Sequence, residues 1–216
     1  MDLTWIVVVA VGYLLGGIPV GLIVGKSTKG IDIRQYGSGK VGATNTLRTL
    51  GWGPSAAVLL LDMSKAAISI ELARLLGAPP LFQALAGLAA VVGHCWSAYI
   101  GFNGGRGVAA SFGSSLMISP IAGLIGAAVF GLVTWRTRYV SLGSLSGAIV
   151  GSIVVLVQAA LGSLDLGYAA LAVAAVIIVV RHLDNIERLR AGTERKLGEK
   201  ATKAGGSKVV GRPEVP

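Results

Sequence analysis

The sequence predicts an all-α, polytopic membrane protein with seven transmembrane helices, several of them short, and with interfacial cytosolic loops or helices between them. Of the 216 residues, 53% are hydrophobic and only 13% are charged, whereas a soluble domain carries about 25% charged residues. Apolar segments also recur along nearly the whole chain. The 32 glycines suit helices that pack closely within lipid.

Seven apolar segments account for the predicted helices. They lie at about 4–25, 53–77, 81–100, 108–118, 120–135, 141–161 and 165–181. A full span needs roughly 20 apolar residues, so the fourth and fifth segments are short. These two meet at Ser119-Pro120, where proline disfavours helix in the preceding residue. We therefore expect a break there, within either two short crossings or a re-entrant pair.

The basic residues are concentrated in alternate connections between the apolar segments. These connections are 26–52, 101–107, 136–140 and the C-terminal region. The opposite connections, at 78–80, 119 and 162–164, contain no lysine or arginine. Because lysine and arginine are retained on the inner side of a membrane, this alternation predicts an outside N-terminus and a cytoplasmic C-terminus.

The chain reads as one membrane-embedded domain over residues 1–197. Its first 25 residues lack the basic start and the cleavage site of a signal peptide, so we expect a retained span. Residues 198–216 are rich in glycine, lysine and proline, which predicts a disordered cytosolic tail. Cys95 is the only cysteine, which excludes an intramolecular disulfide. The basic segments alternate with spans, which favours membrane lipid as a partner and argues against nucleic acid.

A glycine-rich loop, FNGGRGVAA, joins two apolar segments. Gly104, Gly105 and Gly107 permit backbone geometries that other residues avoid, so successive N–H groups can face one concavity. Val108 then begins an apolar helix, whose N-terminus favours anions. The guanidinium of Arg106 matches phosphate oxygens. The loop predicts either a phosphate site or a tight turn in which Arg106 only anchors the membrane face.

The stretch SGKVGATNTLR has similar ingredients. It combines flexible glycine, the hydroxyls of Ser38 and Thr44, the amide of Asn45, and the cations Lys40 and Arg48. On a helix, Thr44, Asn45 and Arg48 would share a face. The alternative is an amphipathic interfacial helix whose basic residues meet lipid phosphates.

A third polar element is H-x-x-N, at the end of the last apolar segment. Helical spacing puts His182 and Asn185 on one face, with Arg188 one further turn along. A histidine at a helix end is also a common interfacial residue, so this position alone does not establish a site. The chain has two histidines and no carboxylate–histidine cluster, so no metal site is predicted.

Two further pairs of residues stand out in apolar surroundings. Asp62 and Lys65 are charged residues at helical i, i+3 spacing, and we expect them to pair and support the structure. Ser141 and Ser144 follow Arg138, where they either donate to an anion or cap the next helix.

Three ordered motifs resemble those of the bacterial acylphosphate:glycerol-3-phosphate acyltransferase family. They are SGKVGATNTLR, GH-x₇-FNGGRGVAAS and HLDNIERL-x₂-GTE, and the resemblance extends to about residue 197. It implies transfer of a fatty acyl group from acylphosphate to the 1-hydroxyl of sn-glycerol 3-phosphate, giving lysophosphatidic acid and phosphate. It also implies the first acylation of phospholipid synthesis in the bacterial inner membrane, without a cofactor and coupled to the acylphosphate-forming enzyme. Coenzyme A and acyl carrier protein esters are not donors in the family.

The resemblance also implies a set of site residues. The implied catalytic residues are Ser38, Thr44, Asn45, Arg48, Arg106, His182 and Asn185. The implied substrate-binding residues are Gly42, Ala43, Gly104, Gly105, Gly107, Val108, Ala109 and Ser141. In this assignment the loop amides hold the phosphate of the donor. The proton of the attacking hydroxyl goes to His182 or to a phosphate oxygen of the donor, and we favour the second.

The sequence departs from the family pattern at three positions. Arg106 stands where lysine is usual, Ala110 where threonine is common, and Lys40 where asparagine is usual. Arginine and lysine differ in geometry, so the first two changes bear on details of the glycine-rich motif.

Two other classes of protein share some of these features. A small anion transporter or channel would also need basic, glycine-rich segments, but its site belongs near the membrane midplane, whereas the polar motifs here fall at one face. A membrane scaffold that recruits anionic lipid would explain the basic residues but not the ordered serine, threonine, asparagine and histidine positions.

Overall fold

The computed structural model describes residues 3–201 and confirms the all-α class. Within this range the α-helices are α1 (Leu3–Gly17), α2 (Val20–Lys29), α3 (Ala43–Leu50), α4 (Trp52–Leu75), α5 (Pro80–Cys95), α6 (Val108–Ile118), α7 (Pro120–Thr137), α8 (Val140–Ala160), α9 (Val173–Arg181) and α10 (Leu183–Arg190). The predicted tail begins with residues 198–201, of which Ala201 donates its N–H to the carbonyl of Arg48. The rest of that prediction, 202–216, lies outside the described residues.

The membrane architecture is confirmed, but the count of seven spans is not. By length and composition four segments of the described chain can cross a membrane: Leu3–Lys29, Pro80–Ile100, Pro120–Thr137 and Val140–Ala160. The pair Leu166–Arg181 and Leu183–Arg190, bent by 53°, makes a fifth if it is one span. The other two predicted spans are atypical: α4 carries four charged residues, and the 11 residues of α6 reach only about 16 Å.

The predicted break at Ser119-Pro120 is confirmed. Helix α6 ends at Ile118 and α7 begins at Pro120, where the missing N–H of proline costs nothing. The Ser119 hydroxyl accepts a hydrogen bond from the N–H of Ala122, so it caps α7.

Close helix packing brings the polar ends of the helices together. At Gly16 an added Cβ would overlap the main chain of Ala90, so only glycine lets α1 approach α5 this closely. Many large apolar side chains, such as Leu60 and Trp135, instead remain exposed on the outer faces, as expected for a surface that contacts lipid. The starts of α3, α6 and α8 and the α9–α10 bend surround one cavity.

Candidate active site

The three sequence motifs meet at one cavity of about 240 Å³. Thirteen of the predicted site residues line it: Ser38, Gly42, Ala43, Thr44, Asn45, Arg48, Arg106, Gly107, Val108, Ala109, Ser141, His182 and Asn185. A smaller polar pocket of about 160 Å³ adjoins it. Ser38, Arg48, Arg106, Asn185 and Glu194 line both spaces. The motifs therefore form one site with a polar extension.

Gly104 and Gly105 do not line the cavity, which corrects the prediction for these two glycines. Their N–H groups donate to the carbonyls of Cys95 (3.2 Å) and His94 (2.9 Å). These amides are therefore not free to bind phosphate. Arg181 holds the loop from the other side, since its Nε and Nη2 donate to the Gly105 carbonyl at 3.2 and 3.0 Å.

The free amides of the loop lie just after Arg106, at the start of α6. None of the described residues accepts a hydrogen bond from the N–H groups of Gly107, Val108 or Ala109, which begin α6. Gly42 and Ala43 begin α3 at the same cavity. Two helix N-termini, with their partial positive charge, therefore face one space.

Gly107 makes the backbone turn that precedes α6 and leaves these amides free. Gly107→Ala is therefore expected to lower both stability and activity. Its φ is +83°, and an added Cβ would lie 2.9 Å from the Cys95 Sγ. Strain of this kind costs about 1–3 kcal/mol, so we expect a lower midpoint of thermal unfolding and at least about a tenfold loss of kcat/KM. Gly131→Ala is the matched control, because Gly131 lies within α7 with open space around it. Equal behaviour of the two variants would contradict this role.

Asn45 lines the cavity, and its amide group is hydrogen-bonded to the loop before α3. Its side chain is 2% exposed. The amide Nδ2 donates to the carbonyls of Ile33, Tyr36 and Lys40 at 2.9–3.1 Å. Its Oδ1 accepts from the N–H of Ser38 at 3.0 Å. Both polar atoms are thus used to shape the loop that presents Ser38.

Arg106 belongs to a chain of alternating charges at the polar end of the cavity. Its Nη2 lies 2.8 Å from Asp184 Oδ2, and Arg188 Nη2 contacts the same oxygen at 3.2 Å. Arg188 Nε then pairs with Glu194 Oε2 at 2.7 Å. The Nε of Arg106 is buried without a partner among the described residues. Burial lowers the pKa of Arg106, while the Asp184 carboxylate opposes this effect.

Glu194 fixes the positions of several predicted site residues. Its carboxylate accepts hydrogen bonds from Ser141 Oγ (2.9 Å), Asn185 Nδ2 (2.6 Å) and Arg188. Burial alone would raise the pKa of Glu194, but these hydrogen bonds outweigh it and hold the pKa below its usual value. A single carboxylate therefore joins the start of α8 to α10. Ser141 does not cap α8, and Ser144 donates to the Val140 carbonyl instead.

His182 and Asn185 each present an acceptor at the cavity. His182 Nδ1 lies 2.8 Å from the Ile178 carbonyl, which can only accept, so Nδ1 carries the proton and Nε2 has the lone pair. Asn185 Oδ1 is buried and lacks a hydrogen-bond partner among residues 3–201. Acceptors at these two positions suit the hydroxyl groups of a polar substrate.

Lys40 and Arg48 add positive charge to the same walls. Burial, followed by the charges of Arg181 and Arg106, lowers the pKa of Lys40. Burial likewise lowers the pKa of Arg48. The ammonium of Lys40 has no ion-pair or hydrogen-bond partner in the described part of the chain. An anion entering the cavity would relieve this concentration of positive charge.

The other end of the cavity is apolar. It is lined from α6, α7, α8 and α9 by Phe112, Ala122, Gly123, Gly126, Ala127, Phe130, Val140, Ala148, Gly151 and Ile178. These side chains offer no hydrogen bonds and suit a hydrocarbon chain. One cavity thus has a cationic end and an apolar end.

Three residues that line the cavity or the adjoining pocket were not among the predicted site residues. Glu194 stands in the third motif, and its buried pairing with Arg188 could not be read from spacing alone. Lys40 was named only as a cation of its motif, and Asp184 is next to Asn185 in sequence, where the fold brings it to Arg106. Within the described residues, no three His, Cys, Asp or Glu side chains are grouped as metal ligands.

The fold and the site define a class of integral membrane enzymes that act on an anionic substrate and an acyl chain together. The family model described as glycerol-3-phosphate acyltransferase matches residues 6–192. The chain belongs to this family.

Named relatives and solved structures agree with this assignment. A glycerol-3-phosphate acyltransferase of Shouchella clausii is 47% identical over 207 residues, covering 93% of this chain and 99% of the relative. That of Halalkalibacterium halodurans is 43% identical over 204 residues, covering 93% and 98%. The crystal structure of PlsY (YgiH), an integral membrane glycerol 3-phosphate acyltransferase, in its glycerol 3-phosphate form has a TM-score of 0.83 at 35% identity, covering 90% of this chain and 96% of that one. The lysophosphatidic acid form of PlsY gives 0.81 at 34%.

Proposed function

We propose that the protein transfers a fatty acyl group from acylphosphate to the 1-hydroxyl of sn-glycerol 3-phosphate, giving 1-acyl-sn-glycerol 3-phosphate and phosphate. The observation that carries this proposal is the single cavity with a cationic end beside helix N-termini and an apolar end between helices. Such a space accepts a phosphate head and a hydrocarbon tail at once. The PlsY structures in glycerol 3-phosphate and lysophosphatidic acid forms support the choice of acceptor and product.

The phosphate of the donor is assigned to the start of α6. There the free amides of Gly107, Val108 and Ala109 and the guanidinium of Arg106 face the cavity. The acyl chain would extend along the apolar wall formed by α7 and α8. This arrangement leaves the carbonyl carbon between the polar and apolar ends.

Glycerol 3-phosphate is assigned to the adjoining polar pocket. Ser38, Arg48 and Arg188 line this pocket and can bind its phosphate. Asn185 Oδ1 and His182 Nε2 are acceptors that can orient its hydroxyl groups. Thr44 lines the cavity as well, and its hydroxyl, which has no partner among residues 3–201, can donate to the reacting carbonyl.

The reaction follows from holding these groups together. The 1-hydroxyl oxygen attacks the carbonyl carbon, and the bond from that carbon to the phosphate oxygen breaks. The proton of the hydroxyl moves to a phosphate oxygen of the departing group, so no strong protein base is required. Positioning of two reactants and donors to the developing charge supply the rate enhancement.

The finer membrane arrangement is also a proposal. We infer seven crossings, with the N-terminus outside and the site facing the cytoplasm of a bacterial inner membrane. Helix α4, at 24 residues, is long enough to span, and Asp62 is paired with Lys65 inside it. In this arrangement residues 1–197 form one domain in contact with membrane lipid. The enzyme that forms acylphosphate supplies its acyl donor.

The choice of donor is tested by direct assay. Purified protein is given palmitoyl phosphate and labelled glycerol 3-phosphate, with palmitoyl-coenzyme A as the control donor. We expect labelled lysophosphatidic acid from palmitoyl phosphate alone, because the proposed donor site at the start of α6 suits a compact phosphate. Equal rates with the coenzyme A ester, or no product with either donor, would reject the proposal.

A further inference from the structure

A buried charged cluster lies beneath the glycine loop and has no role in the assignments above. It consists of Asp62 and Lys65 on α4 and His94 on α5, with 1%, 7% and 5% of their surfaces exposed. Lys65 Nζ lies 2.9 Å from Asp62 Oδ1, which confirms the predicted pair, and 3.0 Å from His94 Nδ1. It also donates to the Ile18 carbonyl at 3.0 Å.

The contact with the Lys65 ammonium indicates which nitrogen of His94 carries the proton. An ammonium has N–H donors and no acceptor, and Lys65 Nζ lies within hydrogen-bond distance of His94 Nδ1. His94 Nδ1 must therefore accept, although Asp62 Oδ1 also lies 3.3 Å from it. A neutral imidazole that accepts at Nδ1 carries its proton on Nε2.

The Nε2 edge of the His94 ring packs against the glycine loop. A Cβ added at Gly105 would overlap His94 Nε2, so the ring edge rests on this glycine. The Gly105 N–H also donates to the His94 carbonyl at 2.9 Å, which joins the main chain at His94 to the loop. His94 lines the cavity beside Gly107 and Val108. None of the described residues accepts a hydrogen bond from Nε2.

We propose that His94 is a further catalytic residue, whose Nε2–H donates to an oxygen of the donor's phosphate group. This inference rests on the proposed function for the identity of the donor. As the bond from the carbonyl carbon to the phosphate oxygen breaks, negative charge grows on the departing phosphate, and a fixed donor stabilises it. His94 transfers no proton in this step. Lys65 acts as a positioning residue, because it holds the imidazole in the tautomer that donates towards the cavity, and Asp62 balances its charge.

The resting tautomer can be measured in the wild-type protein. With two histidines in the chain, isotope-labelled histidine gives four ring-nitrogen signals, and His94→Gln identifies those of His94. We expect a protonated Nε2 and an unprotonated Nδ1. We also expect the Nε2 signal to shift when the protein is saturated with the methylene analogue of palmitoyl phosphate, which cannot transfer its acyl group. A protonated Nδ1, or an unmoved Nε2 signal at saturation, would overturn the proposal.

Kinetics separate contact with the donor from a purely structural role. His94→Leu is expected to lower kcat/KM for palmitoyl phosphate by about tenfold to a hundredfold, the scale of one hydrogen bond to a charged group. The KM for glycerol 3-phosphate should stay within about twofold, because that substrate lies elsewhere in the site. His94→Gln keeps an N–H at a similar reach and should recover most of the loss.

The outcomes distinguish this proposal from the function on which it rests. If the wild type fails to use palmitoyl phosphate, the proposed function fails, and the tautomer remains a separate measurement. If the wild type turns over while His94→Leu keeps its KM and kcat for the donor, the role of His94 fails alone. Should His94→Leu not fold, the ring-nitrogen signals of the wild type decide.

Discussion

Arg106→Ala is expected to lower kcat/KM by at least about a hundredfold, the scale of a lost donor to transition-state charge. Arg106 lines both the main cavity and the polar pocket, and its side chain is only 16% exposed. Its unpartnered Nε is available to a phosphate oxygen, and its contact with Asp184 can exchange for a contact with substrate. Steady-state rates with both substrates varied give the measurement.

Two further variants sharpen the Arg106 experiment. Arg106→Lys restores the residue usual in the family and should keep most of the activity, because the charge remains while the forked geometry is lost. Arg136→Ala removes an exposed arginine at the end of α7, outside the cavity, and should leave the rate unchanged. Similar losses in Arg106→Ala and Arg136→Ala would mean that general positive charge, rather than a site contact, matters.

Glu194→Ala is expected to lower both stability and activity severely. It leaves Arg188 without its 2.7 Å partner and removes the acceptor of Asn185 and Ser141. Breaking a buried pair costs about 3–5 kcal/mol, and we expect roughly 2–3 because the Arg188 side chain is 37% exposed. Since Asn185 and Ser141 then lose their positions, turnover should fall by at least about a hundredfold. Denaturant unfolding in detergent and the acyl transfer assay give the two readouts.

The pH dependence of stability separates the charge of Glu194 from its shape. Because the folded-state pKa of Glu194 is below the ordinary value near 4.5, its contribution is present above that value and is lost as pH falls through the lowered pKa. Glu194→Gln keeps the shape but should lack this part of the acid sensitivity. Glu187→Gln, a change of the same kind on α10, should follow the wild type. Identical acid unfolding of the Glu194 and Glu187 variants would contradict the role of the carboxylate.

Much of the fold was readable from composition and spacing. The all-α membrane class, the break at Ser119-Pro120 and the Asp62–Lys65 pair are each governed by local chemistry, and the structure confirms them. The number of spans could not be predicted in the same way. Helix α4 carries four charged residues, Asp62, Lys65, Glu71 and Arg74, which is too many for a typical span, and the length of α6 depends on its surroundings.

The site was predicted in outline but not in the use of each atom. The glycine spacing predicts that the loop can turn. It does not predict that the N–H groups of Gly104 and Gly105 donate to the carbonyls of Cys95 and His94. The hydrogen bonds from Asn45 to Ile33, Tyr36 and Lys40 could not be predicted, because these partners come from a loop whose path depends on tertiary packing. Glu194 was missed for the same reason, since its partners lie on two helices.

Initial-rate kinetics test most directly whether two phosphorylated substrates occupy the cavity together. Rates are measured with palmitoyl phosphate and glycerol 3-phosphate varied against each other, and radiolabelled phosphate is tested for exchange into palmitoyl phosphate without glycerol 3-phosphate. Direct transfer within a ternary complex predicts intersecting double-reciprocal lines and no exchange. Parallel lines with exchange would indicate a covalent acyl-enzyme and would contradict the account.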